Sequence, residues 1–297
     1  YTVIEAWLQA KVTNETRGRA MGTYRIVDMS GSLMAQMMIG VLAPASYVSY
    51  NILAILCCAA LLPLTLTKVP QPETPSAPRL RPRLAFERSP LAAAGVVVAA
   101  LSAASFRMVG PLYGQEVGLS VGEIAWFLSA FVFGGALAQY PVGWLADKYD
   151  RRWILIWLSV TAMLSCGVTV MAAGMGTAGI MLTAFLFGFT SFPIFSVATA
   201  HAHDFAKDSE RVELSAALMF YYALGAIAAP YVASVLITVY GPSALFILIA
   251  GGHALLIVFG LTRMLARPVS SEKTDYVYAP RTSFVIGRLN RRKRQQD

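Results

Sequence analysis

Charge is scarce in this chain of 297 residues: Asp, Glu, Lys and Arg together make up 13%, about half the ~25% of an ordinary soluble protein. Two stretches lack all four, Trp153 to Ala200 with 48 residues and Leu214 to Thr262 with 49. Each is long enough for two membrane crossings at about 20 residues apiece. With 57% hydrophobic residues overall, this excludes a soluble enzyme. Cysteine is nearly absent too. Cys57, Cys58 and Cys166 all fall inside apolar runs, so neither a secreted disulfide scaffold nor a zinc site is indicated. No G-x-x-x-x-G-K-[ST] run occurs, which disfavours ATP-driven chemistry. No metal or cofactor is expected.

What is present is a series of apolar segments. Divided at their Gly, Pro and charge punctuation, they predict eight membrane-spanning helices near 22–43, 47–66, 91–113, 122–144, 153–173, 177–200, 212–239 and 243–265. Ala43-Pro44, Gly174-Met175-Gly176 and Gly241-Pro242 mark the reversals between them. Tyr1 to Ala10 is apolar apart from Glu5 and Gln9 and too short to span. It reads as the end of a further helix begun upstream, and because the chain opens on Tyr1 instead of Met an N-terminal truncation is expected. Segment 68–90, with Pro70, Pro72, Pro75, Pro78, Pro82 and Pro90, cannot be helical throughout and reads as an extended linker.

Orientation follows from the basic residues. Alternate connections hold Lys11, Arg17 and Arg19; Lys68, Arg79, Arg81, Arg83 and Arg88; Lys148, Arg151 and Arg152; Lys207 and Arg211; and a tail with Arg263, Arg267 and Arg291 to Arg294. The opposite loops carry only Glu116 and Glu123. Basic loops stay cytoplasmic, so all five segments and the C-terminus are assigned there, in a multi-pass plasma (inner) membrane protein. The net charge of +8 is then explained by topology and by attraction of the tail to anionic lipid. Nucleic acid is not an expected partner.

The connection Gly143-Trp144-Leu145-Ala146-Asp147-Lys148-Tyr149-Asp150-Arg151-Arg152 resembles the G-x-x-x-D-[RK]-x-G-[RK]-[RK] loop signature of the major facilitator superfamily. Gln139-Tyr140-Pro141 before it resembles the QWP-type run of that family's YcaD-like branch. Asn14-Glu15-Thr16-Arg17-Gly18-Arg19-Ala20-Met21-Gly22 is similar to the family's connection between helices 4 and 5. Two positions depart from the signature: Asp150 stands where Gly is usual, and Trp153 follows where a third basic residue is common. The resemblance implies an all-α integral membrane fold of two six-helix bundles, of which this chain would supply helices 4 to 12. Residues 1–67 would be the remnant of the N-terminal bundle, 68–90 the cytoplasmic linker, 91–266 the C-terminal six-helix bundle and 267–297 a cytoplasmic basic tail. Sliding 16–33 onto 210–227 pairs Arg17 with Arg211, Gly31 with Gly225 and Asp28 with Tyr222, as parallel repeats require.

The resemblance also implies roles. Asp147, with Gly143, Arg151 and Arg152 on its loop and Arg19 opposite, would form a conformational latch between bundles; a solvated topogenic loop is the plainer reading. Arg107 is costly within a span and either lines a cavity as an anion contact or snorkels to the outer surface. Arg25 and Asp28 share a helix face and form an intrahelical pair unless Asp28 faces the cavity and titrates. Glu5 and His253 are the other proton-coupling candidates, with packing as the alternative for His253. Gln36, Gln139, Tyr140, Phe192, Tyr221 and Tyr222 are candidate cavity residues, or packing residues in the case of the aromatics. His201-Ala202-His203-Asp204 could hold a metal but is more simply a polar helix end. Together these imply a monomeric secondary transporter, not an enzyme, that moves a small solute by alternating access and couples it to protons. The alternative is a non-transporting sensor or scaffold that kept the fold.

Overall fold

The computed structural model describes residues 27, 30–35, 37–38, 41–43, 46–66, 80–171, 176–206 and 210–266. The chain divides into two compact units, Tyr1–Ala77 with Tyr278–Asp297, and Pro78–Val277. In the first, helix α1 (Tyr47–Leu66) has 20 residues and is about 30 Å long at 1.5 Å per residue. The Ser46 hydroxyl accepts from the Val48 N–H at 3.2 Å, so a side-chain oxygen satisfies one of the donors that every helix start leaves open. Most of the expected span 22–43 lies outside the described residues.

The second unit contains α2 (Arg83–Arg88), α3 (Pro90–Glu116), α4 (Val121–Lys148), α5 (Arg151–Met171), α6 (Gly176–Ser191), α7 (Pro193–His203), α8 (Arg211–Tyr240) and α9 (Ala244–Ala266). Among the described residues, six helical stretches are long and apolar enough to cross a membrane, with α6 and α7 together forming one of them. Local chemistry sets their ends. Ser89 caps α3 by accepting from the Ala92 N–H, and Pro90 follows at the first helical position. Ser120 and Glu123 cap α4 reciprocally. At the far end of α3, Leu119 N–H reaches the Gly114 carbonyl at 2.8 Å and Gly118 N–H the Gln115 carbonyl at 3.0 Å. This Schellman turn needs the left-handed φ of +84° that Gly118 supplies.

One expectation is corrected. Segment 68–90 is not extended to its end: α2 forms just before Pro90 and buries Leu84 and Ala85. The stretch between Pro82 and Pro90 holds no proline, so one short helix fits there. The span expected over 177–200 corresponds to the single apolar stretch Gly176–His203, within which Pro193, lacking an N–H, marks the junction between α6 and α7.

α3 is the most buried of the six stretches and α8 the least. α3 packs chiefly on α8, with further contact to α9 and α7, while α4 packs on α6 and α5 on α9. α4 and α6 meet backbone to backbone. A Cβ on Gly134 would lie 2.1 Å from the Phe185 carbonyl oxygen, and one on Gly188 would lie 1.9 Å from that of Phe131. Close approach of small residues is what van der Waals packing inside lipid requires, since water exclusion does not drive helices together there. Beside this contact, Phe106 stacks on Phe131 at 4.3 Å and lies within 6.3 Å of Phe127, Phe187 and Phe246. Tyr113 meets Phe246 edge-on at 4.8 Å. These buried rings hold α3, α4, α6 and α9 together near the end that bears Glu123. The outer surface carries exposed Trp126, Trp157, Leu164, Leu182, Ile247 and Leu255, side chains suited to lipid.

Candidate functional site

One stripe of the second unit differs from that apolar exterior. α7 buries Ile194, Val197, Ala198 and His201 and leaves Phe192, Phe195, Ser196 and Thr199 half-exposed. The spacing of 0, 3, 4 and 7 places these four on one face. Phe192 is seated against α4, where a Cβ on Gly135 would come within 2.5 Å of its ring. The Arg107 guanidinium of α3 lies over the Phe192 ring, 5.6 Å from its centroid, within cation–π range. Phe195 meets Tyr222 of α8 edge to face at 5.2 Å, and Arg107 is close enough to Tyr222 to act on it electrostatically. One turn along α7 from Phe192, the Ser196 hydroxyl donates to Gln139 Oε1 at 3.3 Å. Gln139 is buried and its Nε2 has no hydrogen-bond partner; the Thr199 hydroxyl is likewise buried and unpartnered. The stripe thus offers one cation, a guanidinium-to-phenol aromatic wall and unused hydrogen-bonding capacity.

Arg107 itself is exposed. It lies nine residues before the end of α3 at Glu116, about 14 Å along the axis. The 27-residue helix spans about 40 Å, roughly 10 Å more than a hydrocarbon core, so with the helix centred in that core the Arg107 backbone lies about 9 Å below the nearer surface. Among the described residues it makes no ion pair.

The opposite situation holds at the basic end. Arg151 pairs with Asp204 and also donates to the Ala200 carbonyl at 3.2 Å. Arg152 pairs with Asp150 at 2.8 Å. Asp150 also accepts from the Arg152 backbone N–H at 3.0 Å, so it caps α5, and this accounts for a carboxylate where the loop signature has Gly. Burial works against the Asp150 charge, but hydrogen bonds and attraction from Arg152, with a contribution from His201, outweigh it and hold the carboxyl below its usual 3.8. His201 meets the Phe205 ring edge-on, and His203 Nε2 lies 3.1 Å from the Ser215 hydroxyl. Arg88 pairs with Glu210 at 2.7 Å and Arg81 with Glu213 at 3.2 Å. Among the described residues, no group of three or more His, Cys, Asp and Glu is placed to hold a metal.

Of the residues expected from the sequence, Arg107, Phe192, Gln139 and Tyr222 belong to the stripe. Tyr221 faces Phe86 of α2 edge-on at 4.9 Å instead. His253 is fully buried and meets the Ser102 hydroxyl at 3.0 Å between α9 and α3. Gly143 is buried and Asp147 lies in the last turn of α4; the side chains of Asp147 and Tyr140 fall outside the described residues, as do Glu5, Arg19, Asp28 and Gln36. Phe195, Ser196 and Thr199 were not expected, although their spacing from Phe192 was readable in advance. The Arg151–Asp204 pair joins positions 53 apart and had no local signal.

Comparison with known proteins agrees with this architecture. A family model described as Major Facilitator Superfamily matches residues 92–294. The chain is 27% identical over 281 residues to an uncharacterised MFS-type transporter of Enterobacter sp. (strain 638), covering 94% of this chain and 71% of that protein. It is 26% identical over 278 residues to one of Yersinia pestis (strain Pestoides F), covering 93% and 70%. It is 27% identical over 258 residues to the uncharacterised MFS-type transporter YcaD of Salmonella heidelberg (strain SL476), covering 84% and 65%. With six apolar spanning helices among the described residues, an apolar exterior and a family match over most of its length, this is a multi-pass integral membrane protein, and the chain belongs to the Major Facilitator Superfamily.

Proposed function

We propose that this protein is a secondary active transporter that carries a small solute by alternating access, with the α7 stripe forming part of the solute path. The observation that carries the reading is the stripe itself: a lone guanidinium, a buried amide with an open Nε2, and half-exposed Ser196 and Thr199, on a bundle whose spans otherwise present lipid-compatible side chains. A polar group at membrane depth is retained where it faces a partner or a water-filled path. Alternating access needs two packings of similar free energy, biased by a bound solute.

In this proposal the basic loops and tail lie in the cytoplasm, with the tail on anionic lipid, in a monomer of the plasma (inner) membrane. Asp147, with Arg19 and Gly143, latches that side. Arg151 and Arg152 brace the loop from inside their own unit, since both engage carboxylates there. Asp28, Glu5 and His253 are the groups to test for proton coupling. The decisive experiment places single cysteines at Ser196 and Thr199 in a variant without Cys57, Cys58 and Cys166. A membrane-impermeant maleimide should label both sites from either side of oriented proteoliposomes, to an extent shifted by an imposed proton gradient. Labelling confined to one side under every gradient would show a static scaffold. Asp147→Asn should shift the distribution toward the cytoplasm-open form.

A further inference from the structure

The Arg107 stripe points to the chemical class of the solute. We infer that the site takes a hydrophobic monocarboxylate, an anion with one negative charge and an aromatic or short alkyl body. The inference rests on the transporter reading and deepens it.

The charge arithmetic comes first. In the second unit, Arg107 is the one Lys or Arg within a spanning stretch that is not in the first or last turn of its helix. No Asp or Glu lies at comparable depth in those helices. A guanidinium within a span costs up to about 2.5–3.5 kcal/mol at the bilayer centre and less toward an end, and no carboxylate among the described residues offsets it. A single negative charge neutralises Arg107. A dianion such as phosphate would leave one charge uncompensated in the same surroundings, where unpaired charge is most costly.

The geometry selects a carboxylate with an apolar body. A guanidinium presents two parallel N–H donors that match the two oxygens of a carboxylate. Phe192 covers one side of the Arg107 group at 5.6 Å, which orients the fork and limits water. Phe195 and Tyr222, joined edge to face at 5.2 Å, continue this wall and suit a flat ring or short chain lying beside the paired charges. The Ser196 hydroxyl, one turn along α7 and donating to Gln139 Oε1, can accept from a further polar substituent. It does not supply charge.

The test measures binding to the purified full chain in phosphatidylcholine nanodiscs by isothermal titration. The probes are benzoate, phenylacetate and hexanoate, each against its neutral amide: benzamide, phenylacetamide and hexanamide. At least one acid should bind about 10-fold or more tightly than its amide, the range set by a charge-assisted hydrogen bond. Arg107→Gln, which removes a charge from the membrane and so should insert at least as well, should abolish that preference. Arg107→Lys should keep part of it. Phe192→Leu should keep the preference for acid over amide while reducing that for benzoate over hexanoate. The inference is overturned if no acid exceeds its amide, if Arg107→Gln leaves the preference intact, or if phosphatidylglycerol in the disc competes with the acids as an equal, which would make a lipid phosphate the natural anion. Two-sided labelling at Ser196 and Thr199 is independent of these titrations. Its success alongside their failure would retain the transporter and reject the solute class.

Discussion

The Arg151–Asp204 pair permits a sharp test of how burial decides the worth of an ion pair in this fold. The two side chains are 6% and 10% exposed, whereas those of Arg81 and Glu213, paired at 3.2 Å, are 52% and 23% exposed. Removing one partner of a buried pair costs about 3–5 kcal/mol, because the remaining charge is stranded away from water. Asp204→Ala takes this carboxylate from the Arg151 guanidinium, which keeps its bond to the Ala200 carbonyl at 3.2 Å. That retained bond offsets part of the loss, so a net cost of about 2–4 kcal/mol is expected. Arg81→Ala should cost no more than about 1 kcal/mol, because solvent already screens that pair. The assay is equilibrium unfolding in mixed dodecyl maltoside and SDS micelles, followed by tryptophan fluorescence. The double variant Arg151→Met with Asp204→Leu should regain most of the stability lost in Asp204→Ala, since apolar replacements need no compensation. Equal costs for Asp204→Ala and Arg81→Ala, or a double variant no more stable than the single one, would refute the reasoning.

Three further outcomes are expected. Gly134→Ala and Gly188→Ala should each destabilise by at least about 1–3 kcal/mol by driving a methyl group into a carbonyl of the facing helix; the same unfolding titration checks this, and the control Gly251→Ala, where a Cβ meets nothing within 4 Å, should stay near wild type. Ser102→Ala should cost about 1–3 kcal/mol by leaving fully buried His253 without its hydroxyl partner, and adding His253→Leu should recover part of it; no recovery would mean that the contact is incidental. Asp150 predicts an acid limb. Its folded carboxyl titrates below 3.8, so its contribution is present above that value and is lost as pH falls through the lower, folded-state midpoint. Asp150→Asn, which can still cap α5, should flatten stability against pH in that acid range alone, and an unchanged acid limb would remove Asp150 from the account.

Six long helices and α1 were legible because lipid imposes one demand on every span, a long run without charge, and that demand is local in sequence. Helix starts were legible for the same reason: Ser89 with Pro90 and Ser120 with Glu123 act within a single turn. The span over 177–200 was legible in the same way, and Pro193 marks only the junction of α6 and α7 within it. The candidate site was half legible. Arg107 stands out as a charge in an apolar run, but whether it faced lipid, an acidic partner or an aromatic ring depended on how α3, α7 and α8 pack.

By itself, then, the sequence determined that the chain is a membrane protein, where its helices run and which ends are basic, since length, hydropathy and capping are read residue by residue. Only the tertiary structure decided which charges are satisfied. Arg151 finds Asp204 across 53 positions, Arg107 finds Phe192 and no carboxylate among the described residues, and Gly134 and Gly188 bring α4 and α6 to backbone contact. Such pairings depend on which helix faces meet, and several packings of the same apolar rods would bury similar surface while matching different polar groups.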